Sequence, residues 1–343
     1  MKVAFPAGSF HGWGIAGTYL NHEISRLAPV DGVTLHCISG HDFKPFEEAA
    51  WNRINIGYCF FEYAHLAYPY IAEAAGRWDH IVAGSSWCEG HLRQGGMGRT
   101  STILQGIDPI YFSCQVPRHD DGRFIVFSGG KFEFRKGHDI VIAAMSVFMQ
   151  RHADVWLSCS WHNAWPASLK TMEQTHLIDY VWQDTPCREL LYDTVARNGL
   201  DPNRVLLHPP LHNSRMPLVY GESDIGVFPN RCEGGNNMVM CEYMACGRPV
   251  IASDRTGHAD VITPDNAFCM TSYMPITATL GGHDAGVWPE PSAEELLELL
   301  ERAYRDRYIA RTKGVMAAGD MTNLTWGGAA RQFHGLAEQL AKR

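Results

Sequence analysis

A chain of 343 residues is long enough for about two domains, and its 45% hydrophobic content supports substantial cores without low-complexity tracts or solenoid-type repeats. The formal net charge of −8 argues against a general binder of nucleic acid or of anionic membrane surfaces. The ten cysteines are scattered singly, with no C-x-x-C pair and no zinc pattern among the equally dispersed His, Asp and Glu, so they read as reduced core residues of a cytosolic protein.

Met1-Lys2-Val3 runs straight into a strand at Lys2 to Phe5, so no signal peptide is expected, and no apolar run reaches membrane-spanning length. Gly8 to Gly17 follows, then a helix with Ala16, Tyr19, Leu20, Ile24 and Leu27 on one side. Gly12, Gly14 and Gly17 match the G-x-G-x-x-G spacing of a dinucleotide fingerprint, but Gly12 lies several residues past the strand. A structural turn and a ligand contact are both open there. Val33 to Ile38 and a stretch within Arg53 to Phe61 read as strands. Glu62 and His65, at the end of the latter, are either acid–base or acceptor-binding groups or a helix cap and a packed histidine. His80 reads as structural, ahead of a strand at Ile81 to Gly84, and Ser85 or Ser86 caps the next helix. Thr102 to Leu104 is a strand running into the turn Gln105 to Pro109, and Cys114 to Arg123 has the composition of a linker.

Phe124 to Ser128 opens the second half as a strong strand. The loop Gly129 to Gly137 carries Lys131 and Lys136 and precedes a helix with Val141, Ala144, Met145 and Phe148 on one face. Lysines at a strand's carboxyl end beside a helix N-terminus suit a diphosphate, although a solvated basic loop reads the same way. Val155 to Ser158 and Val205 to Leu207 are further strands, Met172 to Ala196 is mixed, and Ser214 to Tyr220 is a short helix.

The most informative stretch is Asp224 to Ser253, which reads strand, glycine loop, helix, strand. Gly234 and Gly235 permit close approach of a ligand, Asn236 suits the N-cap, Met238, Cys241, Met244 and Ala245 share a helical face, and Gly247 with Pro249 ends the helix. Glu233 lies in the loop beside a helix N-terminus, and Glu242 sits near the packed face, where a charge needs a partner or ligand. Ser292 to Tyr304 and Trp326 to Leu340 are the last helices. Strands and helices alternating twice over predict an α/β protein of two Rossmann-like, doubly wound domains around a cleft.

Pro229 to Asn237 with Glu242 to Gly247 resembles the donor-site motif of glycosyltransferase family 4, with one more residue between the glutamates than is usual there. The resemblance implies a retaining, metal-independent enzyme of the GT-B fold with no cofactor. In it Glu233 holds the donor sugar and Glu242 the nucleotide ribose. Gly129 to Gly137 is similar to the family's Gly-Arg-x-x-x-x-Lys-Gly motif, with Lys131 and Lys136 at its two basic positions, so Glu233, Lys131 and Lys136 are the implied catalytic residues. Implied donor contacts are Gly12, Trp13 and Gly14 in the first half, and Gly130, Pro210, Leu211, Gly234, Gly235, Asn236, Asn237 and Met238 in the second. Gln105 stands where the family has histidine.

The implied domains are residues 1–116 on the acceptor side and 117–325 for the nucleotide sugar, with 326–343 a helix crossing back to the first. The function so read is transfer of a sugar from a nucleotide-diphosphate sugar to a hydroxyl acceptor, in the cytoplasm or peripherally at the inner membrane. The alternatives are a nucleotide-sugar epimerase or phosphorylase on the same fold, or a non-catalytic nucleotide-sugar binder. A nucleic-acid acceptor is disfavoured by the charge.

Overall fold

The computed structural model describes residues 1–46, 51–115 and 121–343; the expected domain boundary between residues 116 and 117 lies outside them. The first sheet consists of β1 (Lys2–Ala4), β2 (Val33–Cys37), β3 (Ile54–Cys59), β4 (His80–Ala83) and β5 (Thr100–Thr102), all parallel and in sequential order. Helices α1 (Gly12–Ser25), α2 (Tyr68–Arg77) and α3 (Ser86–Gln94) connect them. Every residue of β2 and β3 is buried, as a parallel sheet covered on both faces requires.

The second sheet contains β6 (Phe124–Gly130), β7 (Val155–Trp161), β8 (Val205–Leu207), β9 (Ile225–Phe228), β10 (Val250–Ser253) and β11 (Phe268–Met270), parallel in the order β11-β10-β9-β6-β7-β8. The order reverses between β6 and β9. In open α/β sheets a crevice opens at the carboxyl ends of the strands at such a reversal, and ligands bind there. Helices α4 (His138–Arg151), α5 (Cys187–Arg197), α6 (Met216–Gly221), α7 (Met238–Ala245), α8 (Ala293–Arg305) and α9 (Arg307–Met321) accompany this sheet. The antiparallel hairpin β12 (Tyr273–Leu280) and β13 (His283–Pro291) projects from it. Of these elements α2, α9 and the paired character of the hairpin go beyond the sequence reading, and α7 starts one residue later than expected, with Asn237 rather than Asn236 as its N-cap.

Helix α10 (Trp326–Ala341) lies on the first lobe: Trp326, Ala330, Phe333 and Ala337 share a core with Leu20 and Ile24 of α1 and Tyr58 of β3. Gly106 makes this return possible, because a Cβ there would stand 2.1 Å from the Trp326 nitrogen. The lobes are also joined by side chains. Asn236 pairs with both backbone groups of Gln105, receiving its N–H at 3.2 Å and donating to its carbonyl at 2.9 Å. Ser85 donates to the Gly234 carbonyl at 2.8 Å, and Asp260 accepts from the Ser86 amide at 2.7 Å. No helix of the described residues is long and apolar enough to cross a membrane.

A fully buried guanidinium fixes the loops at the reversal. Arg231, just after β9, makes a bidentate pair with Asp139 at 2.7 Å for each bond, reaches Glu290 of β13 at 2.5 Å and the Phe134 carbonyl at 2.7 Å, and lies 3.8 Å from the Phe134 ring centre. It therefore ties together the segment after β9, the β6–α4 loop and the hairpin. Replacing it takes the buried guanidinium from Asp139 and Glu290, leaving the first with the Thr175 hydroxyl and the second with His176 at 3.5 Å, which costs about 3–5 kcal/mol. Arg231→Leu is expected to lower unfolding stability by that amount in chemical denaturation, whereas Arg151→Leu, at an exposed ion pair with Glu301, shifts it by less than about 1 kcal/mol.

Candidate functional site

A cavity of about 490 Å³ occupies the cleft between the lobes. Its first-lobe wall begins where α1 starts. His11 is the N-cap of α1, and its Nδ1 accepts the Gly14 N–H at 3.0 Å. Gly12, Gly14 and Gly17 thus lie inside the helix rather than in a loop ahead of it. A Cβ on Gly17 would stand 2.1 Å from the Pro6 carbonyl oxygen, and one on Gly14 would stand 2.8 Å from the His11 ring. Those two glycines let α1 pack against the chain leaving β1. Gly12 and Trp13 line the cavity, and Gly14 does not. Trp13 packs against Phe60 with ring centres 4.6 Å apart and planes tilted by 48°, and both rings help form the wall with Phe10 and Glu62.

The opposite wall is built on the β6–α4 loop. Gly130, at φ +114°, turns the chain at the carboxyl end of β6, and a short 3-10 helix at Phe134–Lys136 ends at Gly137, also left-handed. A Cβ on Gly137 would stand 2.0 Å from the Pro229 carbonyl oxygen, so the loop lies directly on the segment after β9. This brings Lys131, Glu133, Arg135 and Lys136 to the cavity. Lys131 pairs with Glu133 at 2.9 Å, and its ammonium lies 5.5 Å from the Trp165 ring centre. Arg135, buried, reaches Glu133 at 3.0 Å, Glu233 at 3.3 Å and Glu62 of the first lobe at 3.3 Å.

Glu233 sits at the centre of this network. Its Oε2 accepts from Lys136 at 2.5 Å and from Asn230 at 2.6 Å, and its amide donates to Thr256 at 3.0 Å. Burial alone would push its carboxyl up; the Lys136 ammonium and the Arg135 guanidinium outweigh that and hold it at about 2. Glu133 is drawn down to about 2 against its own burial by Arg135 and Lys131. Glu242, one helical stretch on, has a different environment. It is buried and faces no cation, and its two oxygens accept from Asn213 at 2.8 Å and the Tyr220 hydroxyl at 3.1 Å. Burial pushes it up to about 7 despite those two donors.

Asn237 is held in the left-handed region at φ +55°. Its side-chain amide meets His258 Nε2 at 3.0 Å, while His258 Nδ1 faces the Ser253 carbonyl at 3.2 Å. Burial keeps that imidazole neutral, at about 4, so the ring accepts from Asn237 and donates to Ser253.

Of the residues singled out from sequence, Gly12, Trp13, Glu62, Gly130, Lys131, Lys136, Pro210, Leu211, Glu233, Gly235, Asn237, Met238 and Glu242 line the cavity. Four do not. Gly14 is spent on helix packing. Gly234 faces the first lobe, where a Cβ would stand 2.5 Å from the Phe61 carbonyl oxygen. Asn236 is the clamp on Gln105. His65 is exposed and lies beside Gly286 of the hairpin. Sequence reasoning passed over Arg135, Glu133, Asn230, Asn213 and Tyr220. The first two stood in the basic loop already singled out, and Asn230 stood in the Pro229 to Asn237 stretch three residues before Glu233; Asn213 and Tyr220 come from a distant segment that no spacing rule reaches.

Residues 122–276 match the family model of glycosyl transferases group 1. No curated protein matches the chain. Among solved structures it is similar to sucrose-phosphate synthase from Thermosynechococcus elongatus, with TM-score 0.65 and 19% identity, covering 95% of this chain and 78% of that one. It is also similar to a glycosyltransferase from Rickettsia africae, with TM-score 0.64 and 14% identity over 98% and 84% of the two chains. HepE from Anabaena in complex with UDP-glucose follows, with TM-score 0.61 and 16% identity over 84% and 72%. The fold is GT-B, and the family match at residues 122–276, within the second lobe, supports glycosyl transfer as the activity.

Proposed function

We propose that the chain is a retaining, family 4 type glycosyltransferase that moves a sugar from a nucleotide-diphosphate sugar to a hydroxyl of an acceptor, without a metal ion. The observation that carries this reading is the placement of Lys131, Arg135 and Lys136 together at the carboxyl end of β6, at the strand-order reversal and across from the N-terminus of α7. A diphosphate leaving group needs positive charge where its negative charge develops, and preorganised cations supply it. Lys136 gives one of its three donors to Glu233, which leaves others for a phosphate oxygen. HepE, which shares the fold, was solved with UDP-glucose, and that supports a sugar nucleotide as donor.

In this reading Glu233, kept ionised, accepts hydroxyls of the donor sugar, and Glu242 accepts those of the ribose, with Pro210 and Leu211 beside the base. The bond between the anomeric carbon and the diphosphate oxygen breaks as the acceptor oxygen bonds to that carbon. The acceptor's proton passes to the departing diphosphate, so no side-chain base is required. Retention rests on the likeness of the Glu233 to Glu242 segment to the family's donor motif.

Two outcomes test the assignment. Lys136→Ala is expected to lose about 2–4 kcal/mol of transition-state stabilisation, a fall of roughly a hundredfold or more in kcat at saturating donor; near-normal turnover contradicts the phosphate role. Glu242 tests the ribose assignment through pH. Its folded-state carboxyl lies near 7 against an ordinary 4.5, so the native state holds a proton that the unfolded chain releases. The wild type therefore loses stability as pH rises from about 4.5 through 7. Glu242→Gln removes that loss: it is expected to be more stable than wild type by about 1–3 kcal/mol at pH 8, with the gap shrinking towards pH 5. The same variant is expected to bind nucleoside diphosphate more weakly. A variant that is less stable at pH 8, or that binds as tightly as wild type, contradicts the assignment.

A further inference from the structure

The cavity is electrically one-sided. Among the described residues lining it, every Lys and Arg, namely Lys131, Arg135 and Lys136, belongs to the β6–α4 loop of the second lobe. The first-lobe wall offers Phe10, Trp13, Ile15, Phe60 and one carboxylate, Glu62. His11 is occupied as the cap of α1, its Nδ1 accepting the Gly14 N–H. Glu62 is fixed in place: its backbone carbonyl accepts from the Trp288 indole of the hairpin at 2.9 Å, and its Oε1 shares one Arg135 nitrogen with Glu233, at 3.3 Å from each. Its Oε2 has no donor among the described residues.

Building on the donor assignment above, we propose that the acceptor is an uncharged, hydroxylated ring, a sugar or a glycoside, that lies on the aromatic pair Trp13 and Phe60, with Phe10 lining the same cavity, and places a hydroxyl on Glu62. Rings of this kind have apolar C–H faces that suit aromatic side chains and hydroxyl edges that suit a carboxylate. The shared guanidinium puts that hydroxyl next to the group assigned to the donor sugar, which is where an attacking oxygen belongs. An acceptor bearing a phosphate near this wall meets the Glu62 carboxylate, and the one cation beside it, Arg135, is already shared among Glu62, Glu133 and Glu233. Sugar phosphates and phospholipid headgroups are thereby disfavoured.

The test uses the full-length protein and the sugar nucleotide that gives the largest thermal shift. Transfer is measured to a panel of neutral sugars and alkyl glycosides, and to the same sugars carrying a phosphate ester. Neutral acceptors are expected to be favoured at least about tenfold in kcat/KM, as like-charge juxtaposition is costly. Glu62→Gln is expected to narrow that ratio, and Phe10→Ala, at a side chain 58% exposed and so safe for folding, to raise the KM for neutral acceptors several-fold. Equal or better use of the phosphorylated acceptors overturns the proposal, as does transfer to none of the neutral panel, or an acceptor KM indifferent to both substitutions. Donor binding without acceptor, scored in parallel, separates the two readings. If no sugar nucleotide binds, the donor assignment falls and takes this one with it; binding with a preference for phosphorylated acceptors removes the acceptor assignment alone.

Discussion

Arg135 is the hinge of charge on which the cleft depends. Its guanidinium is buried, and it is in reach of three carboxylates from three segments: Glu133 in its own loop, Glu233 after β9, and Glu62 at the end of β3. A buried cation requires such company, and each buried carboxylate in turn requires the cation. The result is that the two lobes meet through an ion network rather than through apolar contact alone. The side chains assigned to the donor and to the acceptor are held by one group. Arg231 performs the same service one layer deeper, where Asp139 and Glu290 fix the loops that carry the network.

The two glutamates of the central motif show how environment divides roles between like residues. Glu233 and Glu242 are both buried, yet one is held strongly ionised by Lys136 and Arg135 while the other, facing only Asn213 and Tyr220, is poised near neutrality. A carboxylate kept ionised against its burial by fixed cations is costly to assemble, and such sites mark binding or chemistry more often than stability. Glu242 carries the complementary cost, a carboxyl placed where its charge is poorly supported, which a bound hydroxyl pair would relieve.

Much of this was legible in the chain. The strand–loop–helix units around Lys131 and Glu233 announced themselves through glycine, basic residues and helical spacing, because those signals are local. What spacing does not carry is the identity of partners brought in from afar. Asn213 and Tyr220 reach Glu242 from α6 and the turn before it, and Glu62 reaches Arg135 from the other lobe. The glycines misled in an instructive way. Gly12, Gly14 and Gly17 have the spacing of a phosphate-binding turn, but His11 caps the helix ahead of them, so only Gly12 is left facing the cavity. Asn236 and Asn237 divided differently from expectation as well: the second caps α7, which frees the first to grip the Gln105 backbone across the cleft.

The central claim is that the β6–α4 loop receives a diphosphate. Calorimetric titration with matched pairs, each nucleoside against its own 5′-diphosphate, tests it without any knowledge of sugar or acceptor. The account predicts that for at least one base the diphosphate binds more than about tenfold tighter than the nucleoside, with the difference shrinking as salt is raised. Diphosphates that bind no better than their nucleosides, for every base tried, would contradict it.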